Sequence, residues 1–248
     1  MAILWLTAFL DYPGIDFAAG TNFWRAVTTS TLSPPRGADG EFATLLPSSG
    51  DAYLRVQRIG EGVANCHLDL HVDDIAAYAA RAQDLGASVV RKGLGIVTMR
   101  SPGGMDFCLV SHHGEHERPQ PELWPDGHRS ILDQVCVDVA PYAFADECAF
   151  WAEFTRWPLH EASRSEFAYL TRPSDVALRL LFQRVEDPNK TRASAHLDLA
   201  SDDVASEVER HQSLGAHVLW ELEDWTTLRD PAGLAYCVTR RRPDTGTL

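Results

Sequence analysis

Two identical tetrapeptides, HLDL, each set an imidazole two residues from a carboxylate: His67 with Asp69, and His196 with Asp198. In an extended chain residues i and i+2 share a face. Each His therefore stands beside its Asp, while the leucines between and after them turn the other way. A neutral imidazole ligates divalent metals. An imidazole titrating near neutrality exchanges protons, and a same-face carboxylate can orient its ring. Each His can equally hydrogen-bond a neighbouring strand and serve structure alone.

Other chemistry-bearing residues sort by context. Of the seven tryptophans, Trp5 and Trp225 fall in strand-like stretches where an indole can line a cup and stack on a flat ligand. Trp24 and Trp151 fall at apolar helical spacing and read as core. The cluster HHGEHE, His112–Glu117, gathers three His and two Glu in a stretch rich in Pro and Gly. It reads as a solvated linker that binds metal only adventitiously. Asp73–Asp74 and Asp202–Asp203 read as helix caps rather than paired catalytic carboxylates. No GxSxG, Walker or dinucleotide fingerprint occurs.

The elements that hold these residues are written twice. With an offset of 129 (196 − 67), His67–Val110 aligns without a gap on His196–Thr239, and 18 of 44 positions are identical. That is too many for coincidence. HLDL..DD.A falls on itself, RAQDLGASV on RHQSLGAHV, and TMRSPGGMDFCLV on TLRDPAGLAYCVT. Upstream, NFWRAV resembles AFWAEF, EFATLLP resembles EFAYLTRP, and YLRVQRI resembles LLFQRV, with small drifts in offset as loops vary. Two copies of about 110 residues form an internal pseudo-dimer rather than a solenoid. The expected domains are residues 1–111 and 130–242, joined by a linker at 112–129.

In the second copy LDQVCVDVA, EFAYLT and VALRLLFQRV read as strands, and ADECAFWAEFT as a helix. HLDLAS is a strand that ends at SDD, where Asp202 or Asp203 caps a helix running to Gly215. HVLWEL, DWTTLRDP and LAYCVTR are further strands, with a turn at Asp230–Gly233.

Composition narrows the function classes. The chain has 248 residues, 45% hydrophobic and 23% charged, which is globular. The net charge of −13, with 22 basic against 35 acidic residues, argues against nucleic acid as a partner. No run of about 20 apolar residues exists to cross a membrane. The apolar start MAILWLTAFLDYPG lacks a basic leading region and a cleavage site, and reads as a buried strand. Five cysteines without CxxC spacing suit a reducing, cytoplasmic setting.

The order HLDL..DD, then a helix ending in LGA, then DP.G...C resembles the vicinal oxygen chelate superfamily, which includes glyoxalase I, extradiol dioxygenases and bleomycin-resistance proteins. The similarity covers nearly the whole chain apart from the linker. It implies an α+β fold of four βαβββ modules, forming two glyoxalase-like domains whose curled mixed sheets cup a ligand. A cup is built either within one copy or across the two, in which case Gln134 and Gln183 face His67 and Cys108.

In metal-using members, His and carboxylate ligands come from the first and a later strand of each module. Those positions fall on Thr7, Gln57, His67 and Cys108 in the first copy, and on Gln134, Gln183, His196 and Cys237 in the second. The sequence thus departs from the pattern, with one His per copy and no such carboxylate. The expected function is binding of a small organic molecule, in the manner of bleomycin-resistance proteins, with no cofactor or an unknown one. The alternative is a metal- or His-dependent lyase, isomerase or dioxygenase of the same superfamily, with His67 and His196 catalytic or, where a divalent metal binds, its ligands. The expected state is a monomer or a weak homodimer.

Overall fold

The computed structural model describes residues 2–187 and 189–247. The first copy comprises β1 (Ile3–Pro13), α1 (Phe17–Val27), β2 (Thr31–Leu32), β3 (Phe42–Leu46), β4 (Leu54–Ile59), β5 (Asn65–Val72), α2 (Ile75–Asp84), β6 (Ser88–Gly93), β7 (Ile96–Arg100) and β8 (Asp106–Ser111). After a short β9 (Glu122–Leu123) the order repeats: β10 (Arg129–Val139), α3 (Phe144–Thr155), β11 (Leu159–Glu161), β12 (Phe167–Leu170) and β13 (Arg179–Arg184). Then follow β14 (Ser194–Ser201), α4 (Val204–Ser213), β15 (His217–Glu221), β16 (Trp225–Arg229) and β17 (Ala235–Thr239). This is the βαβββ module four times over, in an α+β fold.

Each copy makes its own mixed sheet. The first has the order β2-β3-β4-β1-β5-β8-β7-β6. The second has β11-β12-β13-β10-β14-β17-β16-β15, with β9 added beside β10. The strands opening the two modules are therefore neighbours at the centre of each sheet. β5 runs parallel to β8, and β14 parallel to β17. β1 and β10 are nearly continuous in burial rather than alternating, as expected where both faces of a central strand are covered. The outermost strands β2 and β11 are short and exposed. β11 is absent from the strands expected of the second copy, because a three-residue polar edge carries no periodic signal.

By proximity the chain forms two compact units. One comprises Met1–Ala8, His67–Glu117 and Val135–Ala195; the other comprises Phe9–Cys66, Arg118–Gln134 and His196–Leu248. Each unit has its own aromatic core under a tryptophan-bearing helix. In the first, Phe107 packs against Phe150, Trp151 and Phe154, and Tyr78 against Phe154. In the second, Phe23 and Trp24 meet Tyr236. Trp24 and Trp151 are fully buried, as their helical spacing required.

Each core also buries a carboxylate. Glu147 of α3 accepts from Ser101 Oγ (2.6 Å), Trp151 Nε1 (2.9 Å) and the Gly103 amide (2.6 Å). In the other unit Asp230, at the β16–β17 turn, accepts from Tyr12 Oη (2.6 Å) and Trp24 Nε1 (3.0 Å), and its second oxygen takes the amides of Ala232 and Leu234. Burial raises both carboxyls above their ordinary values, against the pull of these donors. Asp74 and Asp203 cap α2 and α4 through the amides of Ala77 and Ser206.

Candidate functional site

The alternation of β5 puts His67, Asp69 and His71 on one face, with Leu68, Leu70 and Val72 on the other. β8 lies parallel to it with Cys108 opposite Asp69. The result is a compact group. His67 Nε2 lies 3.7 Å from Asp69 Oδ1, and the His67, Asp69 and Cys108 donor atoms all fall within 4.8 Å of one another. Thr98 Oγ1 stands 3.6 Å from the Cys108 sulfur. Burial, then the charge of Asp69, pushes the Cys108 thiol up to about 12, so it is protonated at neutral pH.

The second copy reproduces the group. His196 Nε2 lies 3.3 Å from Asp198 Oδ1 and 3.7 Å from Cys237 Sγ, and Cys237 pairs with Asp198 across the parallel strands. Thr227 Oγ1 is 3.3 Å from that sulfur. Burial raises the Cys237 thiol as well, while His196 pulls the other way. In both copies the carboxylate is buried and the imidazole keeps an exposed edge, with side-chain exposures of 18% for His67 and 15% for His196.

The remaining sequence-derived residues divide. Gln134 is buried and donates its amide to Asp198 Oδ2, which fixes that carboxylate. Thr7 is fully buried, and its Oγ1 shares a 2.9 Å hydrogen bond with Nε2 of His71 rather than with His67. Gln57 is half-buried on β4 opposite Phe42. Gln183 is half-buried on β13 and accepts from the Cys136 thiol at 3.9 Å. Trp5 is fully buried, and Trp225 half-buried opposite Thr239.

His71 lies one residue beyond the repeated HLDL and is not part of the duplicated motif. Its signal was available: it continues the His67–Asp69 face, and the second copy has Ala200 in its place. The linker reading also needs correction. His112 extends the line of β8, its amide bonding the Val72 carbonyl at 3.2 Å, and Glu115 Oε2 lies 3.6 Å from Nδ1 of the buried His71. Parallel pairing of β5 and β8 brings the start of the linker to the end of β5, which composition alone does not reveal. Burial alone would raise the Glu115 carboxyl, but the backbone amides of Glu115 and His113 and the two histidines hold it below its ordinary value.

A model of the glyoxalase-like domain matches residues 8–110 and again 134–239. The chain belongs to the glyoxalase-like domain family, with two such segments, and so to the vicinal oxygen chelate superfamily. No curated protein matches the sequence. Among solved structures, the Mn(II)-bound glyoxalase from Novosphingobium aromaticivorans superposes with a TM-score of 0.69 at 15% identity, over 96% of this chain and 82% of that one. A 2,3-dioxygenase from a Pseudomonas species gives 0.64 at 13% identity, over 100% and 97%. A mutant of 4-hydroxymandelate synthase from Streptomyces coelicolor gives 0.62 at 15%, over 96% and 91%. These likenesses establish the fold. No described helix is long and apolar enough to cross a membrane.

The metal that the superfamily implies asks for imidazoles and carboxylates presented by different strands. The strand positions of the first copy instead offer one imidazole, one carboxylate from the same strand, and one thiol kept protonated by burial. That donor set does not fit a two-His, one-carboxylate centre.

Proposed function

We propose that the chain binds a small organic molecule at two equivalent sites, His67–Asp69–Cys108 in the first copy and His196–Asp198–Cys237 in the second. The observation that carries this reading is the duplication itself. The same three residue types recur at equivalent strand positions, Cys opposite Asp across the parallel pair in both copies, with the carboxylate buried and the imidazole edge partly exposed. The Asp sets a negative charge 3.3–3.7 Å from its His ring, and the ring edge offers one hydrogen-bond donor or acceptor to a polar ligand. The protonated thiol adds a soft, weakly polar wall. Binding without metal-assisted turnover, as in bleomycin-resistance proteins, agrees with the donor set better than dioxygenase or glyoxalase chemistry does.

The test is a tryptophan-fluorescence titration with a panel of catechols, aromatic amines and glycopeptide antibiotics, using tag-free protein. Saturable binding that weakens in His67→Ala and in His196→Ala supports the reading. Binding unaffected by both substitutions sinks it. So does turnover of a catechol that depends on added iron or manganese and on His67 or His196.

A further inference from the structure

We propose that His71, His112 and Glu115 form a divalent-cation site in the first copy, tetrahedral and zinc-like in preference, with three protein ligands and a fourth position open to water. The site goes beyond the small-molecule reading, and its failure would leave that reading untouched. It stands four residues along β5 from His67, about 13 Å at strand rise.

Donor chemistry is the first argument. Two imidazoles and one carboxylate converge, with all three donor atoms within 4.8 Å of one another. This is the set that borderline divalent ions take.

The distances are the second. Glu115 Oε2 lies 3.4 Å from His112 Nδ1 and 3.6 Å from His71 Nδ1. A direct charge-assisted hydrogen bond would close to about 2.7–2.9 Å. Ligands about 2.05 Å from a tetrahedral ion stand about 3.3–3.4 Å apart, whereas adjacent octahedral ligands stand about 2.9 Å apart. Both carboxylate–imidazole separations lie nearer the tetrahedral edge than the octahedral one.

Preorganisation is the third. The bond between Thr7 Oγ1 and His71 Nε2, at 2.9 Å, holds the far side of the ring and directs Nδ1 to the cluster. That is the outer-shell arrangement common to metal-bound histidines. His112 is anchored by its amide to Val72, and Glu115 Oε2 also accepts the His113 amide at 3.1 Å. The His71 side chain is only 1% exposed, against 21% for His112 and 17% for Glu115, so an ion can enter from the linker side.

The second copy gives the contrast. Continuing the offset of 129, the equivalents are Ala200, Arg241 and Asp244. Arg241 there is buried and pairs with Asp133 at 2.7 Å. The second copy thus lacks both imidazoles, and the three-donor set is confined to the first copy. A bound ion would tie the start of the linker to β5.

The experiment uses tag-free full-length protein, stripped with chelator and titrated with Co(II), then with zinc in competition. The expected result is one ion per chain, with the intense visible bands of tetrahedral Co(II), displaced by zinc. His112→Gln and Glu115→Gln, both partly exposed and outside the cores, should keep the wild-type circular dichroism and lose the bands. Thr7→Val should weaken binding by about 10-fold. The His113→Ala, His116→Ala double variant should retain full Co(II) binding. Absence of stoichiometric binding overturns the site. So does binding that survives His112→Gln and Glu115→Gln, or that is lost in the His113, His116 variant, which would mark an adventitious linker ion.

Discussion

Replacing Glu147 tests how far buried hydrogen bonding, rather than area alone, holds the first unit together. The side chain is fully buried and serves three donors: the Ser101 hydroxyl, the Trp151 indole and the Gly103 amide. In Glu147→Ala the indole and the amide lose their partner outright, at roughly 1–3 kcal/mol each. Ser101 suffers less, because its hydroxyl rotates and still accepts the Met105 amide at 3.0 Å. Loss of the one buried methylene, Cγ, adds about 0.8 kcal/mol. Removing a carboxylate that burial already disfavours returns part of this. The expected net loss is about 3–5 kcal/mol, a large share of the roughly 5–15 kcal/mol that a domain has. Urea unfolding followed by tryptophan fluorescence should show a midpoint lower by roughly 1–2 M.

Glu147→Gln should fall between wild type and alanine, since its carbonyl oxygen still serves Ser101 and Trp151 while its amide opposes the Gly103 N–H. The pH dependence has a defined sign. A carboxyl raised in the native state binds its proton more tightly there than when unfolded. Its stabilising contribution is therefore full below the ordinary value of 4.5 and is lost as pH rises through the native value. The wild type should exceed the Gln variant by more at pH 4 than at pH 8. An alanine variant within about 1 kcal/mol of wild type, or a glutamine variant no better than alanine, would refute the reasoning.

Three further outcomes are expected. Gly20→Ala places a methyl 2.5 Å from the Tyr12 ring, whose hydroxyl is tied to Asp230, and should cost about 1–3 kcal/mol by thermal or urea unfolding. Asp203→Ala removes the cap on α4 from the Ser206 amide and should cost about 1 kcal/mol, with faster amide exchange confined to the first turn of that helix. For His128, burial alone would lower the imidazole pKa, but hydrogen bonds to Glu207 and Asp126 prevail and raise it above 6.5. Its stabilising contribution is present below 6.5 and lost as pH rises through the native value. An NMR titration should find the His128 pKa lower in Glu207→Gln; an unchanged value would show that Glu207 does not hold the proton.

The repeat, the family and the module order except for the short edge strand β11 were legible in the residues alone. These rest on periodicities and turn chemistry that each short stretch carries within itself. HLDL alternates, DPAG turns, and Trp24 and Trp151 recur at helical spacing, whatever the rest of the chain does. That His67 and Asp69, like His196 and Asp198, share a face was legible too, because strand geometry fixes it locally. Cys108 and Cys237 were identified through family positions. Their distance from the histidines follows from parallel pairing of β5 with β8 and of β14 with β17.

Three features depended on long-range packing. Packing assembled each open sheet from the strands of one copy, because which module strands pair depends on long-range contacts rather than on the strands' own residues. It gave Thr7 to His71, since a one-strand register choice determines which imidazole a hydroxyl meets. It brought Glu115 and His112 to a buried histidine. Composition marks HHGEHE as polar and therefore solvated, but a polar segment that leaves the end of a central parallel strand begins beside its neighbour, and there its side chains meet buried partners before they reach water.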